Sequence, residues 1–294
     1  MEINTKQILS DWQEELLERI EKIKNKGINP KLAIIVAKDF SKPSSLYVNN
    51  KIKKAAELGI LVEKVEIEWE NREVEDVLRN LFSKINKINH DDDINGVIVQ
   101  LPFPYVSEET IAECLNYKKD VDGFTMIQKH LLEENYKEAL APCTAKGIMR
   151  MIKSVDGENL SGKSICIVNR SNLIGKPLFE MALQENMTPI VLHSKTTSND
   201  RIYYMRSSEI VITGCGQRAI FDYMYFANGT TIIDCSMTPK EGVKGVGDCD
   251  KEKILEYSPS CKIASGFGHT GPMTVMALME NVIIACENKL NFKY

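Results

Sequence analysis

Lys51 follows Tyr47 by four residues in SLYVNNKIKKAAELGI, a stretch with the periodicity of an amphipathic helix. One helical turn separates the two side chains, so they leave the same face. An aromatic ring beside an amine can screen the lysine from water and suit it to moving protons. The same spacing fits an exposed helix lysine beside a packed tyrosine. The pair alone therefore decides nothing.

A second group of residues suits a nucleotide. SICIVN-RSNLIG-KPLFEMAL reads as strand, polar turn, glycine and helix, the plan by which doubly wound sheets hold anions against a helix N-terminus. The full GxGxxG fingerprint is missing, because Asn169 stands where its first glycine is expected. Arg170 leaves the strand end and Ser194 lies just after the next strand. In a βαβ unit those tips are neighbours, where the adenosine ribose of a dinucleotide rests. A guanidinium there pairs bidentately with a ribose phosphate, which points to NADP rather than NAD. A surface arginine with a helix-capping serine fits the same residues. Gly214 and Gly216 would permit close approach of backbone to cofactor, and an ordinary turn explains them equally well.

Two domains of α/β type are needed to position these groups. The 294 residues suffice for two cores, and 43% hydrophobic with 27% charged residues is the composition of a globular protein. A helix beginning at Ser10, with Gln13 completing a capping box, is expected to bury Trp12, Leu16, Leu17, Ile20 and Ile23 and to end near Gly27. Strands are expected at 31–37, 60–68 and 95–100, with the Tyr47/Lys51 helix and a helix carrying Val74, Val77, Leu78, Leu81 and Ile85 between them. LPFP then stops the third strand. After the helix KGIMRMIKSV and the polar stretch DGENLSGK, strands are expected at 164–169, 189–193, 209–216 and 230–236. A last apolar helix, starting at Pro272, is long enough to return to the first domain. The expected fold is two doubly wound α/β domains flanking a cleft, the second Rossmann-like. Residues 1–145 and 272–294 form the first domain and 146–271 the second.

A net charge of −4 with no basic stripe speaks against nucleic acid as partner. No apolar run reaches membrane-spanning length and the N-terminus lacks a secretory pattern, so a cytoplasmic protein off the membrane is expected. Eight scattered cysteines without CxxC pairs read as free thiols, and HDDD at His90 reads as a solvated loop rather than a metal site; no metal is expected.

YVNNK (47–51), VQLPFP (99–104), KDVDGF (119–124), PCTAKG (142–147), GKSICIVNRSNLIGKP (162–177), HSKT (193–196) and GPMT (271–274) occur in the order of one family. The chain resembles, over nearly its whole length, the bifunctional methylenetetrahydrofolate dehydrogenase/methenyltetrahydrofolate cyclohydrolases. The resemblance implies NADP-linked oxidation of 5,10-methylenetetrahydrofolate and hydrolysis of the 5,10-methenyl product to 10-formyltetrahydrofolate. That is one-carbon metabolism feeding purine biosynthesis, in a homodimer formed through the nucleotide domain. It implies that Lys51 is catalytic, that Gln100 orients it, and that Asp122 binds the pterin. Tyr47, Val99, Leu101, Gly271 and Pro272 would also meet the folate substrate, while Asn169, Arg170, Ser171, Ser194 and Met237 would meet NADP. Asp122 is an anionic acceptor suited to pterin N–H donors, although DVDG is equally good turn chemistry. Gln100, ending a strand beside prolines, can donate and accept at once, as a purely structural amide also does.

The sequence departs from the family before Pro272. PGGVGPMT is usual and FGHTGPMT (267–274) stands here, so Phe267, His269 and Thr270 replace proline, glycine and valine. Ala145 likewise stands for proline, and Asn169 for glycine. A monofunctional dehydrogenase and a binding protein without catalysis are the alternatives these changes keep open. A short-chain dehydrogenase also carries a YxxxK pair, but its nucleotide turn precedes the pair and here it follows.

Overall fold

The computed structural model describes residues 1–240, 243–266 and 268–291; Phe267 lies outside the described residues. Internal contacts divide the chain into two compact units, one of Asp11–Cys143 with Val275–Tyr294 and one of Met1–Ser10 with Thr144–Thr274.

Helix α1 (Thr5–Asn25) starts earlier than Ser10, because the Asn4 carboxamide Oδ1 accepts the Gln7 N–H at 3.2 Å and caps the first turn. Ser10 lies inside the helix. Trp12, Leu16, Ile20 and Ile23 are buried as one stripe, whereas Leu17 falls about 100° round the helix from Leu16 and is exposed. Strands β1 (Lys31–Ala37), β2 (Leu61–Ile67) and β3 (Gly96–Val99) form a parallel sheet of order β2-β1-β3, connected through α2 (Lys42–Glu57) and α3 (Val74–His90). β1 is the central strand, and its unbroken apolar run is what burial on both faces requires. α3 covers the sheet with Val77, Leu81, Ile85 and Ile88; Val74, at the helix start, is exposed. The His90 ring ends that helix by bonding the Asn86 carbonyl at 2.8 Å.

Beyond β3, Val97 N–H donates to Lys119 O at 2.7 Å, which lays the Lys119–Asp120 segment against the strand. Helices α4 (Glu108–Cys114) and α5 (Met126–Asn135) flank this segment in sequence and are capped by Ser107 and Thr125.

The second unit takes over within α6 (Cys143–Asp156). Its sheet contains β4 (Ser164–Val168), β5 (Thr188–Leu192), β6 (Ile210–Thr213), β7 (Thr231–Asp234) and a further strand near residue 263. α7 (Gly175–Gln184) follows β4, and α8 (Ser198–Ser207) follows β5. Past β7 come the short strands β8 (Thr238–Lys240) and β9 (Val243–Val246), an antiparallel pair, then α9 (Lys251–Tyr257) and the remaining sheet strand β10 (Lys262–Ala264). All five sheet strands are parallel, in the order β10-β7-β6-β4-β5. β8, β9 and β10 escape the sequence reading because none of them carries a continuous apolar run.

The N-terminal arm was expected with the first domain and belongs to the second unit instead. Ile3 N–H donates to Ile263 O at 2.9 Å, and Ile263 N–H to Met1 O at 2.9 Å, so the arm extends the sheet edge at β10.

Helix α10 (Thr270–Asn291) begins two residues before Pro272, and from Val275 onward it packs in the first unit as expected. Asn281 on α10 is fully buried and donates to Val121 O and Ala141 O, each at 2.8 Å. Asn281→Leu keeps volume but removes both of these bonds to buried carbonyls, and should cost about 2–4 kcal/mol in urea unfolding. A loss under about 0.5 kcal/mol, the scale of a surface change, would show that the amide is not structural.

Candidate active site

Gln100 is set at the carboxyl end of β3 by pairing with β1, where its own N–H donates to Ile35 O at 2.9 Å. Its carboxamide is oriented by Nε2 donating to Leu101 O at 2.8 Å, which turns Oε1 outward to receive Lys51 Nζ at 3.1 Å. Lys51 comes from α2, and both side chains are partly buried. Two residues 49 apart in sequence are thus brought into one hydrogen bond. Tyr47 stands one turn back on α2 and is 48% exposed, leaving its ring open to a ligand. Val99 is buried and Leu101 partly exposed, with a cis peptide joining Leu101 to Pro102. A cavity of about 200 Å³ at this edge of the sheet is lined by Phe40, Ser45, Asn49, Gln100 and Pro102.

Asp122 lies in the turn following the segment paired with β3. Its Oδ1 receives the Cys143 thiol at 3.7 Å, and its carboxylate remains partly exposed. The turn is built around Asp120, which the sequence reading passed over. Asp120 is fully buried and accepts the N–H groups of Gly123 at 3.0 Å and Thr125 at 2.7 Å. Burial pushes its carboxyl up to about 6, against the opposing pull of those N–H groups. An acid that holds its proton more tightly when folded makes the fold lose stability as pH rises through that window, from 3.8 to about 6. Gly123 has φ +75°, and a Cβ there would run into the Leu140 carbonyl, so the DVDG turn admits glycine alone.

The nucleotide-type turn is closed by Asn169. Its Oδ1 accepts Ser171 N–H at 2.8 Å and Gly175 N–H at 3.1 Å, while Nδ2 donates to Gly214 O at 2.6 Å. One side chain thereby stitches the ends of β4 and β6 to the start of α7. A Cβ at Gly175 would collide with the Asn169 carbonyl, which explains the glycine. Ser171 Oγ accepts Ile174 N–H at 3.1 Å, so its own proton is free to be donated outward. Parallel pairing of Val168 with Leu192 places Arg170 and Ser194 two residues beyond matched strand ends, both exposed. These neighbouring donors suit the phosphate of an NADP ribose. Met237, 41% exposed, follows β7.

Two acids organise the remaining loops of this unit and carried no recognisable motif. Asp234, buried at the end of β7, accepts Ser236 N–H at 3.1 Å, Cys249 N–H at 2.9 Å and the Ser265 hydroxyl at 2.7 Å. Asp248, also buried, accepts Cys215 N–H and, at 2.8 Å, Gln217 N–H. Burial raises the Asp234 carboxyl above its ordinary value. Gly271 and Pro272 are exposed at the start of α10. His269 and Thr270, the departures just before them, are buried in the second unit rather than projecting from the loop.

Residues 3–122 match the family profile described as the tetrahydrofolate dehydrogenase/cyclohydrolase catalytic domain, and 142–290 match the NAD(P)-binding domain of the same family. The bifunctional protein FolD of Staphylococcus haemolyticus is 34% identical over 286 residues, covering 96% of this chain and 95% of its own. Among solved structures, the FolD methylenetetrahydrofolate dehydrogenase/cyclohydrolase of Campylobacter jejuni is 32% identical with a TM-score of 0.88, covering 98% of this chain and 99% of its own. The methylenetetrahydrofolate dehydrogenase-cyclohydrolase (FolD) of Trypanosoma brucei, solved with NADP cofactor and an inhibitor, is 25% identical with a TM-score of 0.86, covering 99% and 98%.

Proposed function

Because the chain belongs to the tetrahydrofolate dehydrogenase/cyclohydrolase family, we propose that Lys51, Gln100 and Asp122 are its catalytic centre. The protein oxidises 5,10-methylenetetrahydrofolate with NADP and hydrolyses the 5,10-methenyl product to 10-formyltetrahydrofolate. The observation that carries the assignment is the Lys51–Gln100 hydrogen bond of 3.1 Å at the carboxyl end of β3.

Asp122 receives N–H donors of the pterin edge and Tyr47 lies against its ring system, with Val99, Leu101, Gly271 and Pro272 completing the substrate contacts. NADP, when bound, accepts the hydride that leaves the one-carbon bridge. Arg170, Ser171 and Ser194 hold its ribose phosphate, Asn169 shapes the turn beneath it, and Met237 also meets the cofactor. Hydride loss leaves a cationic methenyl carbon, which water attacks; the C–N5 bond of the adduct then breaks as its hydroxyl proton passes to N5, leaving the formyl group on N10. Lys51 takes or relays the proton released by that water, with Gln100 fixing where its nitrogen points. In this reading Lys51, Gln100 and Asp122 come from the unit of Asp11–Cys143 and Val275–Tyr294, and the other unit holds NADP.

The test is direct. The purified protein, given methylenetetrahydrofolate and NADP, should raise absorbance at the reduced-nicotinamide band, and added methenyltetrahydrofolate should decay faster than it does without protein. Asp122→Ala should raise the KM for methylenetetrahydrofolate by about tenfold or more, the worth of a lost charge-assisted hydrogen bond. Binding of both ligands without turnover would leave the non-catalytic alternative standing. Family resemblance also supports a cytoplasmic homodimer joined through the nucleotide unit and serving purine synthesis. Light scattering of the eluted protein checks the dimer, since a single-chain mass would exclude it.

A further inference from the structure

The loop leading into α10 is held by a clasp that nothing in the proposed chemistry uses. His269 is 8% exposed, and both of its ring nitrogens are engaged by the N-terminal arm. Nδ1 lies 3.1 Å from Thr5 Oγ1, and Nε2 lies 3.1 Å from Glu2 Oε1. Glu2 is also paired with Lys251 of α9 at 2.6 Å. The arm itself is fastened to β10 by backbone hydrogen bonds.

The chemistry of the three groups selects one arrangement. A carboxylate only accepts, so Nε2 carries the proton and donates to Glu2. Nδ1 is then an acceptor and the Thr5 hydroxyl donates to it, which satisfies the neutral ring completely. Burial lowers the pKa of His269, and the Glu2 carboxylate opposes that shift. Thr270 adds a second tie, its hydroxyl donating to Asp234 O at 3.5 Å. Gly266 and Gly268 on the same loop both have positive φ, a backbone that needs external restraint to keep one shape. The ring of His269 supplies that restraint two residues before Gly271 and three before Pro272.

We propose that His269 is a positioning residue: clasped between Thr5 and Glu2, it fixes the loop that presents Gly271 and Pro272 to the tetrahydrofolate substrate. This rests on the assignment of Gly271 and Pro272 as substrate contacts.

The experiment compares His269→Ala, Thr5→Val and Glu2→Gln in the full-length protein, with Pro272→Ala as reference. Thermal midpoint, NADP affinity, kcat and the KM for methylenetetrahydrofolate are measured for each. His269→Ala and Thr5→Val should raise that KM by about fivefold to twentyfold, with kcat and NADP affinity within about twofold. Glu2→Gln keeps an oxygen that accepts the Nε2 proton and should change the KM by less than about threefold. Thr5→Val removes one hydroxyl at nearly constant volume, so it serves where His269→Ala does not accumulate. A lowered thermal midpoint with an unaltered KM in both variants overturns the proposal, because the clasp would then be structural only. If Pro272→Ala raises the KM while His269→Ala and Thr5→Val do not, the clasp alone is wrong. If none of the three moves it, the assignment of the loop to substrate fails as well.

Discussion

Lys51→Met should slow methenyltetrahydrofolate hydrolysis by about a hundredfold or more, the scale set by loss of a positioned acid–base group. Methionine keeps the length and apolar stem of lysine, so the packing of α2 against the sheet is little disturbed. NADP affinity should remain within about twofold, because the proposed cofactor residues Arg170, Ser171 and Ser194 belong to the other unit. Gln100→Met should give a smaller loss, since the amine remains but nothing aims it. The double variant should then be scarcely worse than Lys51→Met alone, because an orienting group has no function once the group it orients is gone. Stopped-flow decay of the methenyl chromophore reads all three. Hydrolysis at the unaltered rate in Lys51→Met would remove this lysine from the mechanism, and additive losses would mean that Gln100 acts separately from it.

That pair shows where sequence reading stops. The helix face carrying Tyr47 and Lys51 follows from a period of 3.6, and the end of β3 follows from the prolines after Gln100. Their meeting depends on which strand neighbours which, and the order β2-β1-β3 is a tertiary fact that no local period encodes. The long helices and the buried strands β1, β3, β4, β6 and β7 were legible because each carries a continuous apolar run or stripe. The N-terminal arm was not, because two backbone hydrogen bonds to Ile263 leave no hydrophobic pattern.

Departures from a family pattern are similarly half legible. Asn169 and His269 stand out in the sequence as replacements for glycine. In the structure each side chain turns into the protein and makes bonds that hold a loop. Side-chain direction depends on backbone torsions that a one-residue difference does not reveal. The buried acids Asp120, Asp234 and Asp248 were missed for a related reason. They sit beside conspicuous residues, and only their burial marks them as the groups that organise the turns.

Arg170→Ala should raise the KM for NADP by about tenfold to a hundredfold, as expected for removing charge-assisted hydrogen bonds to a phosphate worth about 1.5–3 kcal/mol. Val168 pairs with Leu192 in parallel strands, so the residues two places on, Arg170 and Ser194, leave the sheet side by side. Ser171 joins them with a hydroxyl proton left over after its oxygen caps Ile174. A guanidinium with hydroxyl donors at the next residue and at the neighbouring strand end matches a phosphate monoester on a ribose and has no such partner on a plain ribose hydroxyl. The KM for NAD should therefore change by less than about threefold, and the preference for NADP should shrink by nearly the whole effect. Turnover at saturating NADP should be nearly unaltered, because the 2′-phosphate is remote from the nicotinamide and its contacts stabilise ground and transition states alike. Initial rates with the two cofactors decide the matter. Equal losses for NADP and NAD would mean that Arg170 supports the fold of the turn rather than reading the phosphate, and the choice of cofactor would then lie with other residues.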